Sequence, residues 1–90
     1  MVSRYHIRVK GRLAALAYVT PHPVSEKHVI ASVFPIEHAG KWEDNNLEYH
    51  LRDSVTDLFP KNVTDGEVIR ELLMRVGIRQ GYSIEKQDSS

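Results

Sequence analysis

The sequence predicts an α+β fold: a two-layer sandwich in which two helices cover one face of a mainly antiparallel sheet of three to four strands, in the order β-β-β-α-α-β. Charged and apolar residues alternate near the N-terminus with the two-residue period of a strand, whereas helical spacing appears later in the chain. With 90 residues, 41% hydrophobic and 27% charged, the chain can form one core. We expect a single domain over residues 1–86 and a disordered tail over residues 87–90.

The first three strands are predicted before residue 37. Tyr5, Ile7 and Val9 alternate with basic residues, and Lys10-Gly11 suits a tight hairpin because glycine readily adopts a positive φ. Residues 13–19 are then expected to form a second strand, with a helix as the alternative because leucine and alanine favour helices. β-Branched residues predict a third strand over residues 28–36, against a competing short helix capped by Ser25.

Two helices and a last strand follow a polar loop over residues 37–46. The first helix is predicted from an apolar stripe that stops at Pro60. Its members are Leu47, Leu51, Val55 and Leu58. Thr64 and Glu67 have the spacing of a capping box, and the apolar residues from Val68 to Val76 predict the second helix, with Gly77 suited to its end. Residues 79–86 alternate again and are expected to pair with the first strand.

A zero net charge hides a separation of charges along the chain. Residues 1–25 carry four arginine or lysine residues and no acid, whereas residues 26–65 carry eight acids and four basic residues. The basic residues of the first segment fall on one strand parity together with a histidine, which predicts a cationic strip facing water. The members of this strip are Arg4, His6, Arg8, Lys10 and Arg12. The strip suits an acidic protein surface or phosphates, or is a solvated sheet face whose charges pair across strands.

Trp42 is the second candidate contact. It is the only tryptophan, and it lies in the polar loop between Lys41 and Glu43. An exposed tryptophan is a strong interface anchor, whereas a loop tryptophan also commonly covers the end of a core. Acidic residues of the first predicted helix, Glu48, Asp53 and Asp57, are expected to form its solvated face.

Two family resemblances suggest alternative functions. The segment from Thr64 to Leu73 resembles the second helix of ribbon-helix-helix repressors, and residues 4–10 resemble their DNA-reading strand, which implies a dimeric DNA-binding protein. In that family the strand leads directly into the first helix, whereas here residues 11–45 intervene. The order of Glu37, His38, Asn46 and His50 resembles that of an HNH nuclease, which implies metal-dependent cleavage, although Asn46 and His50 are only four residues apart.

The composition excludes several kinds of chemistry. Without cysteine there are no disulfides, thiolate nucleophiles or cysteine-ligated metals, and no phosphate-binding loop or nucleophile elbow is present. No apolar run is long enough to cross a bilayer. We therefore expect a cytoplasmic protein that does not bind a membrane and needs no cofactor. The leading hypothesis is a small non-enzymatic adaptor, regulator or inhibitor that binds a larger protein through the basic strand. A nucleic-acid-binding regulator is the alternative, a metal-dependent nuclease is a more remote one, and a homodimer is compatible with each.

Overall fold

The computed structural model describes residues 2–36 and 54–87, which form a five-stranded antiparallel sheet and one helix. Its elements are β1 (Ser3–Val9), β2 (Arg12–Pro21), β3 (His28–Pro35), β4 (Val55–Pro60), α1 (Asp65–Arg75) and β5 (Ser83–Gln87). The strands lie in the order β4-β3-β2-β1-β5. The α+β class and the mainly antiparallel sheet are therefore confirmed, with more strands than predicted and a single helix in the described part of the chain.

The predicted first helix is wrong where the structure describes it. Val55 to Leu58 belong to β4, which pairs with the edge of β3 opposite to β2. The other residues of the predicted apolar stripe lie outside the described residues. Val55 and Phe59 lie on one side of the strand, and Thr56 and Leu58 lie on the other. The β-branched residues and the available edge of β3 therefore favoured an extended chain over the helical spacing shared by Val55 and Leu58.

The hairpin joining β1 to β2 forms where it was predicted. Lys10 and Gly11 have φ values of 53° and 80°, and positive values at both central residues are typical of a type I′ turn. Close to the hairpin, the pairing register of β1 and β2 shifts, so that Ile7 lies opposite Ala15 while Arg8 lies opposite Leu13. Ala14 is the extra residue of this β-bulge, and the bulge turns both Leu13 and Leu16 toward the face that carries Arg8.

The helix covers one face of the sheet, called here the inner face. Val68, Ile69, Leu72 and Leu73 are buried on the helix, which packs mainly on β3 and β4. The sheet contributes alternate residues of its strands to this core. The main buried contributors are Tyr5, Ile7 and Val9 of β1, Ala15, Ala17 and Val19 of β2, Ala31 and Val33 of β3, and Phe59 of β4.

Both predicted ends of the helix are observed. The Thr64 side chain accepts a hydrogen bond from the backbone N–H of Glu67 at 3.3 Å, which satisfies one of the free N–H groups of the first turn. At the other end Gly77 has a φ of 90°, and Ile78 donates to the carbonyl of Leu73 at 2.9 Å. This is the Schellman arrangement, and it returns Ile78 to the core.

Tyr5 connects β1 to the start of the helix. Its ring is buried on the inner face, and its hydroxyl donates a hydrogen bond to the carboxylate of Asp65. Burial, reinforced by the Asp65 carboxylate, raises the pKa of Tyr5 to about 12. Removing the proton would place two negative charges together inside the fold, so this contact requires the neutral phenol.

Candidate functional site

The site that the structure offers is the opposite face of the sheet, called here the outer face, because no helix lies on it in residues 2–36 and 54–87. The strand register determines which side chains share this face, since residues directly opposite in an antiparallel pair point the same way. Its members are Arg4, His6 and Arg8 of β1, Leu13, Leu16, Tyr18 and Thr20 of β2, His28, Ile30, Ser32 and Phe34 of β3, Thr56, Leu58 and Pro60 of β4, and Ser83, Glu85 and Gln87 of β5.

The basic strip is shorter than the sequence suggested. Arg4, His6 and Arg8 share the outer face as expected, but Lys10 lies in the turn and Arg12 pairs with Val9, whose side chain belongs to the inner face. The prediction of five basic side chains on one face is therefore wrong beyond Arg8, because the chain reverses at the hairpin and the alternation does not continue through it.

Arg8 is already paired with an acid. Its Nε donates to the Glu85 carboxylate of β5 at 2.8 Å, and its guanidinium also donates to the carbonyl of Gly11 at 3.3 Å. Arg4 has no carboxylate partner among the described residues. The positive charge that is available to a ligand on β1 is consequently centred on Arg4, and the Arg8–Glu85 pair is nearly neutral.

Aromatic and aliphatic side chains stand beside this charged strand. Tyr18 lies directly opposite Arg4, and its ring meets Phe34 edge to face with 5.7 Å between the ring centres. Phe34 and Leu58 are 41% and 48% exposed on neighbouring strands. Near the basic strip, the sequence prediction took account of only one aromatic residue, Tyr5, which points inward. The parity of β2 relative to β1 is the signal that would have identified Tyr18.

A cavity of about 210 Å³ opens on the outer face where β2, β1 and β5 meet. Among the described residues it is lined by Arg4, Tyr5, His6, Leu16, Tyr18 and Gln87. The ring nitrogen Nδ1 of His6 is buried and has no hydrogen-bond partner in the described part of the chain. Arg4, His6 and Gln87 can each donate a hydrogen bond to a ligand, and Leu16 supplies an apolar surface.

Other predicted functional features are not assembled in the described structure. Within residues 2–36 and 54–87, no three histidine, cysteine or acidic side chains lie together as a metal site would require. Trp42 and the nuclease-like residues Glu37, His38, Asn46 and His50 lie outside the described residues, as do Glu48 and Asp53. Asp57 is described, and it lies on β4 rather than on a solvated helix face.

Asp57 takes part in the contact between β4 and the helix. Its carboxylate pairs with Arg75, whose guanidinium carbon lies 5.1 Å from the centre of the Phe59 ring. A hydrogen bond from the backbone N–H of Leu58, followed by the pairing with Arg75, lowers the pKa of Asp57. This acid therefore contacts the helix from β4, while about half of its side chain remains exposed.

The resemblance to ribbon-helix-helix repressors does not extend to the sheet. In that family, the strand that reads DNA must be free to pair with a second copy. Here β1 is hydrogen-bonded to β2 along one edge and to β5 along the other. It has no free edge for such pairing, so the DNA-binding arrangement implied by that family is not available to this strand.

The described helix is too short and too polar to span a bilayer. Comparison of the chain with protein families, with curated proteins and with solved structures gave no significant match.

Proposed function

We propose that the chain is a small non-enzymatic interaction module, an adaptor, regulator or inhibitor, that binds a protein partner through the outer face of its sheet. The observation that carries this proposal is the combination, on one face, of a partly exposed apolar cluster with an arginine that lacks an acidic partner among the described residues. The cluster contains Ile30, Phe34 and Leu58, and Arg4 lies at its border beside Tyr18.

The composition of this face suits a protein interface. Protein contacts are enriched in tyrosine, phenylalanine and arginine at their centre and are depleted of acids there. Phe34 and Leu58 come from adjacent strands and remain nearly half exposed, so a partner could bury both of them at once. Ser32 and Thr56 lie between them and bond each other at 2.9 Å, which leaves this part of the face without a charged group to desolvate.

Comparative affinity capture from a native lysate tests the proposal. The wild type is compared with a Phe34→Ser/Leu58→Ser variant and with a Val24→Ser/Met74→Ser control, which removes two exposed apolar side chains that are not on the outer face. We expect a protein that is retained by the wild type and the control and reduced about tenfold or more by the outer-face variant. Equal recovery by all three proteins would contradict the proposal, provided that their thermal unfolding shows each to be folded.

A nucleic-acid-binding function is the second candidate, and it is supported by the contact between the rings of Tyr18 and Phe34. Tyr18 and Phe34 place two aromatic rings on the same face as Arg4, as in proteins that stack single-stranded bases on a sheet. Titration with single-stranded and duplex DNA and RNA at two salt concentrations tests this candidate. Phosphate contacts make the logarithm of affinity fall linearly with the logarithm of salt, and absence of binding at low salt would remove the candidate.

A further inference from the structure

We propose that the cavity between β2, β1 and β5 binds one carboxylate side chain, an aspartate or glutamate, of the protein partner. This inference rests on the proposed function and adds to it the chemistry of one contact. It is carried by the lining of the cavity, in which donor groups meet beside an apolar wall and no described residue contributes a carboxylate.

The size of the cavity favours a single side chain over a free metabolite. Its volume is about 210 Å³, whereas pockets for small-molecule ligands commonly enclose about 300 to 1,000 Å³. One acidic side chain with its methylene groups fits the smaller space. The methylenes can pack against Leu16 and the Tyr18 ring while the carboxylate reaches toward Arg4.

The donors in the cavity match a carboxylate. Arg4 offers a planar fork of N–H groups that can hold both carboxylate oxygens. The buried Nδ1 of His6 lacks a partner among the described residues, and a buried polar atom without a hydrogen bond is unfavourable. A carboxylate in the cavity would satisfy this atom once the imidazole turns to present Nδ1, because the atom has almost no exposed surface in the structure. One ligand group would then satisfy both side chains.

The charges around the cavity favour a ligand group with a single negative charge over a doubly charged phosphate. Glu85 lies opposite His6 on β5, and Arg8 already pairs with its carboxylate. Arg4 is then the one full positive charge in the lining that has no described partner, and a ligand group with one negative charge balances it. The site therefore fits a carboxylate better than a doubly charged phosphate group.

Titration of the full isotope-labelled chain, followed by nuclear magnetic resonance, tests the inference. The probes are acetyl-Leu-Glu-Leu-amide, its glutamine counterpart and inorganic phosphate. We expect the glutamate peptide to shift the resonances of Arg4, His6, Tyr18 and Gln87, and the glutamine peptide to bind about tenfold more weakly or not at all. Arg4→Gln should cause a similar loss, whereas Arg79→Gln, which removes an exposed arginine outside β1, β2 and β5, should not.

Three results would overturn the inference: equal binding of the two peptides, binding that survives Arg4→Gln, and phosphate binding at the same residues that is as tight as that of the glutamate peptide. The last result would favour the nucleic-acid candidate. The peptide titration needs no protein partner, so its result does not depend on the result of the capture experiment. Loss of capture by Phe34→Ser/Leu58→Ser without peptide binding would retain the proposed function and remove only the carboxylate site.

Discussion

The inner and outer faces of the sheet are built from alternate residues of the same strands, yet they differ in what covers them in the described structure. On β1, Tyr5 and Ile7 are buried against the core, while Arg4, His6 and Arg8 point the other way. The helix and the inner face supply the buried apolar surface that holds the fold together. The outer face is therefore under a weaker packing constraint, and its arginine, aromatic and aliphatic groups are those that a binding surface needs.

The largest expected difference between the two faces is the loss of unfolding free energy when one aliphatic side chain on each face is truncated. Ile7→Ala removes a side chain with no exposed surface, so we expect a loss of about 2–5 kcal/mol in the free energy of unfolding. Leu58→Ala removes a side chain with as many carbon atoms that is 48% exposed, so we expect a loss of about 1 kcal/mol. Urea denaturation measures both values. Equal losses would mean that the outer face is also part of the core.

A second prediction concerns pH and the inner face. The pKa of Tyr5 is about 12 in the fold, against about 10 in an unfolded chain. The folded state therefore holds this proton more tightly, so its contribution to stability is complete below pH 10 and is lost as the pH rises toward 12. The loss should be on the order of 2 kcal/mol. This loss is measured by comparing the free energies of unfolding of the wild type and Tyr5→Phe from about pH 9 to about pH 12.

Tyr18→Phe is the control for that measurement, since it removes a phenol from the outer face, where no hydrogen bond to its hydroxyl is described. The stability difference between the wild type and Tyr5→Phe should shrink with rising pH. If the stabilities of the wild type and Tyr5→Phe instead fell in parallel with rising pH, the hydrogen bond between Tyr5 and Asp65 would not stabilise the fold through the phenol proton.

The sequence predicted most elements of the fold because their signals are local. The hairpin at Gly11, the Thr64 cap and the Gly77 end each depend on residues within one turn, and the structure contains all three. β4 was missed because its stability comes from pairing with β3, about 25 residues earlier, while Val55 and Leu58 alone have helical spacing.

The candidate site was predicted only in part, for a related reason. Arg4, His6 and Arg8 could be grouped from one strand, since alternation within a strand is visible in the sequence. Their aromatic neighbour Tyr18 and the acid Glu85 arrive from other strands, through a bulge and a pairing register that depend on the whole sheet. The sequence therefore indicated a basic strip, and the structure replaced it with a mixed surface on which Arg4 is the arginine without a described acidic partner.

The smallest expected effect distinguishes the two arginines of the outer face. A double-mutant cycle with Arg8→Ala and Glu85→Ala should give a coupling energy of about 0.2–1 kcal/mol, because the pair at 2.8 Å is solvent-exposed, and the coupling should fall as salt is added. The matched cycle with Arg4→Ala and Glu85→Ala should give none. If Arg8 and Glu85 showed no coupling, Arg8 would be a second cation available to a ligand. The preference of the cavity for a single carboxylate over a doubly charged phosphate would then lose its electrostatic basis.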